Sequence, residues 1–359
     1  MVVLDLGLRT VGIPKGEVLR HWLEDAEHQP VNYELAKQRG DVVPFSPAPR
    51  PRTTWRPGLK FYMCYNGPRQ PSMDEHGCVP VVINSRGIRE REEVTYDKPP
   101  GQRRVLCVGD SFTFGWGIPV EKCWVRLLEG ELAREGPWCT VNCGASGAIY
   151  IDEYCAAVQG AYHRYDPDIV VLTICLNDVA LIPEALLFPR PPTQHWLRGV
   201  SAIADAAIGA WDARHRLELP PGLDYGRILL DLPATDPFYK VRGEERAVFW
   251  GDGTPQQALR GFRDWCRERR IALRLVIWPL LQGLGPGQHY PFATLHAVVR
   301  EFCKQEGIEL LDLLPVFAGR DPEQYWITPA DLHANEAAQA LAVPHIARFL
   351  VETGATRPR

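Results

Sequence analysis

The sequence predicts an α/β protein: three α/β/α layers around a parallel sheet of about five strands in the order 2-1-3-4-5, preceded by an extended, β-leaning N-terminal segment. Three observations predict it. From residue 103 onward, short and nearly continuous apolar runs recur, as expected of strands covered on both faces. Amphipathic stretches lie between them, and that alternation requires right-handed crossovers. The first hundred or so residues break the pattern with prolines and short alternating runs.

In that N-terminal part, Pro44, Pro47, Pro49, Pro51 and Pro57 fall within "PFSPAPRPRTTWRPG", which favours extended backbone over helix. "LKFYMCY" and "VPVVINSRG" follow as strands separated by turn residues. Residues 1–100 are therefore expected to form a segment packed on a main domain of residues 101–359. The main-domain strands are "RRVLCVG" (103–109), "CTVNCG" (139–144), "DIVVLTICL" (168–176), "IALRLVIW" (271–278) and "IELLDLL" (308–314). Between them, residues 120–135 set Val120, Trp124, Leu127, Leu128 and Leu132 on one helical stripe. Residues 293–306 do the same with Leu295, Val298, Val299 and Phe302. The alternation stops at about 179–253, where "FPRPP" and a helix-like run at 198–217 read as an insert at a strand's carboxyl end, placed for a lid or a decoration. Pro344 should break or kink the final helix, because it removes a backbone donor and crowds Ala340.

A net charge of −4 gives no electrostatic case for nucleic acid or an anionic membrane. The N-terminus lacks a basic stretch followed by a continuous apolar one, and no window approaches about 18 uncharged apolar residues. A cytoplasmic chain without a membrane span is expected. The ten cysteines contain no CxxC pair and no zinc-type spacing. Cys107, Cys143 and Cys175 lie inside apolar runs, so thiols acting as small apolar residues are expected, with no metal site.

The first strand runs into "GDSFTFGWG" (109–117), a turn at the sheet edge where parallel sheets place their chemistry. A Walker A loop fails, since Phe114 and Gly115 stand where Gly and Lys belong. A dinucleotide fingerprint from Gly115 and Gly117 fails too, because position 120 is Val. A phosphate loop using Ser111 and Thr113 is closer, but Phe114 crowds it. The other reading makes Ser111 a nucleophile, with backbone N–H groups of the following helix facing an oxyanion.

A serine nucleophile needs a base held by a carboxylate. His333, in "WITPADLHANEAAQAL", follows Asp331 by two residues at the carboxyl edge of the sheet. The same loop also reads as a helix entry, with Asn335 as cap and Glu336 at the positive end. Oxyanion donors are available at two further strand ends: Gly144 in "VNCGASG" and Asn177 in "TICLND".

With "GDSFTFG", "NCGASG", "LND" and "DLHAN" in this order, the sequence resembles the SGNH (GDSL-type) hydrolases over roughly residues 103–352. "VINSRGIRERE" resembles the approach segment of large bacterial members. The resemblance implies a flavodoxin-like sheet, Ser111 as nucleophile, His333 as base and Asp331 as its orienting carboxylate. It also implies an oxyanion hole from Ser111, Gly144 and Asn177. Two positions depart from the usual pattern: Cys175 replaces a glycine, and Ala330 stands where the last block often has its aspartate.

The expected function is a serine esterase without a cofactor, acting through an acyl-enzyme on a small-molecule or carbohydrate ester, with short acyl or O-acetyl groups favoured by resemblance. The alternatives are an acyltransferase with the same site, and a non-catalytic flavodoxin-like phosphate- or flavin-binding domain. Trp116 and Trp326 are candidates for a substrate pocket. Oligomeric state is not legible.

Overall fold

Short antiparallel strands and one short helix, Tyr33–Gln38, make up the described N-terminal part, in line with its prolines and alternating runs. The strands are β1 (Leu19–Leu23), β2 (Val42–Pro44), β3 (Thr53–Trp55), β4 (Lys60–Tyr65) and β5 (Cys78–Val82). Strands β1, β4 and β5 form one sheet, and β2 pairs with β3. The computed structural model describes residues 19–23, 33–45, 52–65, 70–75, 77–147, 149–182, 201, 203–204, 207–208, 211, 222–237, 239, 245–251, 253–328 and 331–356. Residues 1–18, Pro47, Pro49 and Pro51, "FPRPP", most of the helix-like run at 198–217, and Ala330 lie outside these.

Cys64 and Cys78 stand directly opposite each other on β4 and β5. They are joined by a disulfide, with Cα atoms 4.0 Å apart. This corrects the expectation that the cysteines are all thiols: antiparallel register brought together two residues 14 positions apart. The other eight remain free, among them Cys107, Cys143 and Cys175, which are buried as expected.

The central sheet contains β6 (Arg103–Gly109), β7 (Trp138–Gly144), β8 (Ile169–Cys175), β9 (Ala272–Trp278) and β10 (Leu310–Asp312). All its pairings are parallel, and its spatial order β7-β6-β8-β9-β10 is the expected 2-1-3-4-5. The inner strands β6 and β8 bury Val105, Leu106, Val108, Val170, Val171 and Leu172 from both sides. Each such side chain contributes roughly 1.5–3 kcal/mol of transfer free energy. Edge strand β10 is shorter than its apolar run and only half-buried.

Flanking helices are α1 (Ser111–Phe114), α2 (Trp124–Leu132), α3 (Ile151–Gly160), α4 (Leu176–Val179), α5 (Thr254–Glu268), α6 (Ala293–Glu306) and α7 (Glu336–Glu352). Buried Gln339 of α7 ties three of them together. Its Oε1 accepts from Trp124 N at 2.8 Å, and its Nε2 donates to Phe112 O at 3.1 Å. Helix α7 is not broken at Pro344. Pro344 and Ala340 both lie on the exposed face, so the carbonyl that loses its amide partner faces water, while Ala342, Val343, Ile346 and Leu350 stay buried.

A small hairpin of β11 (Trp326–Thr328) and β12 (Asp331–Ala334) precedes α7 at the carboxyl edge of the central sheet. No helix of the described residues is long and apolar enough to cross a membrane.

Candidate active site

Ser111 is the first residue of α1, immediately past β6. Asp110 caps this helix, its Oδ1 accepting from Phe112 N at 3.0 Å. Gly115 closes it in the left-handed region at φ 82°. The strand before it can approach β8 closely because residue 109 has no Cβ, which would sit 1.9 Å from Thr173 Oγ1. The turn is thus a tight corner and a helix start in one, and it presents the serine at the sheet's edge.

His333 comes to it from β12. Its Nε2 lies 2.9 Å from Ser111 Oγ, and its Nδ1 lies 2.5 Å from Asp331 Oδ1. The same carboxylate oxygen accepts from His333 N at 3.1 Å, so the two-residue spacing fixes both the backbone and the ring. On the other side, the Trp116 indole N–H donates to Asp331 Oδ2 at 3.2 Å, and its ring stacks on His333 with centroids 5.5 Å apart. Asn335 also caps α7, accepting from Ala338 N at 3.1 Å, so the loop is a helix entry as well.

Electrostatics follow from burial of these groups. Burial works against a charged His333, but the Asp331 carboxylate, by charge and hydrogen bond, and then the charge of Asp110, raise the imidazole's pKa above its ordinary value. Burial likewise opposes ionisation of Asp331, yet His333 holds it below the usual carboxylate range. Asp110 Oδ2 has no hydrogen-bond partner among the described residues, and burial pushes Asp110 up to about 6 although the Phe112 N–H and the charge of His333 oppose it. Asp178, which accepts from Cys175 N and from the Tyr154 hydroxyl, is raised further by burial and by the charge of Asp110.

Ser111 and His333 open onto a cleft lined also by Asp110, Phe112, Cys175, Asn177, Leu280, Leu281, Gln282 and Leu332. Asn177 lies on α4 just past β8; its side-chain Oδ1 is buried without a hydrogen-bond partner among the described residues.

Gly144 is placed differently from expectation. Its N–H donates to Asn142 Oδ1 at 3.0 Å, and it does not line the cleft. An added Cβ would lie 2.1 Å from Phe114 N, so this glycine serves the close approach of β7 to α1. The exposed glycine of the same turn is Gly147.

Neither Trp116 nor Trp326 lines the cleft. Trp116 stands behind Asp331, while the buried Trp326 donates its indole N–H to Leu281 O, supporting the wall from outside. The wall residues Leu280, Leu281 and Gln282 were not singled out in the sequence. They follow β9 at its carboxyl end, so strand-end position was the signal that could have found them. Asp110 was legible only as the neighbour of Ser111.

The chain is similar to several known proteins. A curated arylesterase of Vibrio mimicus is 27% identical over 130 residues, 36% of this chain and 60% of that protein, so the chain spans less than two thirds of that relative. Among solved structures, a psychrotrophic esterase from a Pseudoalteromonas species is 14% identical, covering 70% of this chain and 98% of its own, with a TM-score of 0.40. A lipase/acylhydrolase from Enterococcus faecalis is 13% identical, covering 70% and 96%, also with a TM-score of 0.40. The GDSL-like lipase/acylhydrolase family model matches residues 107–341, a span that holds every strand of the central sheet from Cys107 onward together with Ser111, Asp331 and His333, and the chain belongs to that family.

Proposed function

We propose that the protein is a serine esterase that cleaves short acyl esters through an acyl-enzyme. The observation that carries this reading is the hydrogen-bonded line from Ser111 Oγ through His333 to Asp331, with separations of 2.9 and 2.5 Å. Ser111 attacks the ester carbonyl while His333 Nε2 takes its proton. Asp331 holds the Nδ1–H tautomer and stabilises the imidazolium. His333 then protonates the leaving alcohol, and water, activated in turn by His333, releases the acid. Backbone N–H of Ser111 and the Asn177 amide hold the oxyanion, a contribution of about 3–4 kcal/mol per well-placed donor.

The cleft supports a short acyl chain: Leu280, Leu281, Leu332 and Phe112 give it an apolar lining. A phosphate-binding role is disfavoured because Asp110 caps α1, placing a carboxyl where an anion would dock. No observation favours acyl transfer over hydrolysis. The Cys64–Cys78 disulfide favours an oxidising compartment over the cytoplasm.

A fluorophosphonate probe followed by peptide mapping tests the assignment, together with p-nitrophenyl acetate hydrolysis by wild type, Ser111→Ala and His333→Ala. Labelling at Ser111 and loss of turnover in both variants are expected. A Ser111→Ala variant of normal activity would sink the esterase reading.

A further inference from the structure

The back of the site is fixed in part by residues from outside the family match. Asp331 Oδ2 takes the Trp116 indole, and Trp116 sits on the turn from Phe114 to Ile118. That turn is held by the N-terminal segment. Arg89, only 1% exposed, donates through Nη1 to Phe114 O at 2.7 Å and to Gly115 O. Its Nη2 donates to Ile118 O at 2.5 Å. Met63 Sδ accepts from Gly117 N at 3.2 Å. The buried hydroxyl of Tyr65 stands behind the same glycine, where an added Cβ would come within 2.4 Å of it. The side chains Met63, Tyr65, Phe114 and Ile118 share one buried cluster, against which Trp116 packs.

Arg89 is a costly way to fill this space. Its guanidinium is buried among carbonyls, and among the described residues no carboxylate forms an ion pair with it. Glu121 and Glu90 act on its charge only without contact, and a buried ion held that way is a poor stabilising device compared with an apolar side chain of equal volume. What it does provide is geometry: a rigid fork satisfying carbonyls left open at the end of α1. Helix α1 carries Ser111 at one end and leads into Trp116 at the other.

We propose that Arg89 is a positioning residue, acting through the Phe114–Ile118 turn and Trp116 to hold Asp331 and hence His333 in register with Ser111. This rests on the reading of His333 and Asp331 as the base and its carboxylate. The N-terminal sheet is, on this account, a working part of the site.

The test compares wild type, Arg89→Lys, Trp116→Phe and the double variant. Lysine keeps the charge but cannot span the three carbonyls. Two readouts are taken: steady-state hydrolysis of p-nitrophenyl acetate, and the low-field proton NMR resonance of His333 Nδ1–H. Arg89→Lys is expected to lower kcat about tenfold with KM within about twofold, and to shift or broaden the resonance. In the Trp116→Phe background the same substitution should cost less than about twofold more, because both act on one carboxylate. A folded Arg89→Lys protein with unchanged kcat and resonance, or effects fully additive with Trp116→Phe, overturns the proposal. Should Arg89→Lys fail to fold, Met63→Leu decides, since it removes the acceptor of Gly117 N on the same turn: a moved resonance supports the relay and an unmoved one overturns it. A wild type inactive on every ester would defeat the esterase reading alone, because the resonance reads the positioning independently.

Discussion

Asp110 and His333 line one cleft, and each favours the charged form of the other: the imidazolium eases ionisation of Asp110, and ionised Asp110 raises the imidazole's pKa. A general base must be neutral, so kcat/KM should fall as pH drops through a value above that of an ordinary histidine, about 6.5. Asp110→Asn keeps an acceptor for Phe112 N and removes the charge. Its acid limb should move to lower pH, measured as a pH profile on p-nitrophenyl acetate. Stability responds with its own sign. A carboxyl raised to about 6 in the fold stabilises most below its unfolded value, about 3.9, and that contribution fades as pH rises through about 6. Thermal melts between pH 4 and 8 should therefore show a decline in wild type that is shallower in Asp110→Asn.

Asn177→Ala should lower kcat about a hundred- to a thousandfold while leaving KM within severalfold, the signature of a donor used mainly in the transition state. Stopped-time fluorophosphonate labelling should slow in parallel. Retained activity would remove Asn177 from the oxyanion site.

Leu280 stands in the cleft wall, and its backbone is clamped by the Tyr290 hydroxyl, which accepts from Leu280 N at 2.9 Å and donates to Leu280 O at 3.3 Å. A wall fixed in this way cannot recede for a longer acyl chain. Leu280→Ala should raise kcat/KM for p-nitrophenyl hexanoate relative to acetate by about tenfold. An unchanged ratio would place the acyl chain elsewhere.

The disulfide closes a loop with a sequence separation of 14 residues, for which chain entropy predicts about 3 kcal/mol of stabilisation. Cys64→Ser combined with Cys78→Ser should lower the urea midpoint accordingly, read by near-ultraviolet circular dichroism.

Much of the fold was legible because the strands of a parallel sheet declare themselves: β6 and β8 are apolar on both faces, and no other soluble element of that length needs to be. The pairing of Ser111 with His333 was legible for a related reason, since strand order alone carries both to one edge. What escaped depended on distances between segments. Gly144 reads as a free donor until Asn142, two residues back on the same strand, is seen to occupy its N–H. Trp116 and Trp326 read as pocket aromatics because sequence gives side-chain type but not direction, and both point at the outside of the site. Cys64 and Cys78 required the register of β4 on β5. Pro344 reads as a breaker unless the exposed face of α7 is known.

For anyone seeking to change what this protein accepts, the packing around α1 divides the chain into fixed and adjustable ground. Side chains added at Gly109, Gly115 or Gly144 would come within about 2 Å of Thr173, Cys123 or the Phe114 backbone, so randomising these positions would yield mainly unfolded protein. At Gly147 the nearest atom to an added Cβ is 4.0 Å away. A useful library therefore spares the serine turn, and spends its diversity on residues 280–282 and Leu332, where variation alters the ester without touching the corner that presents Ser111.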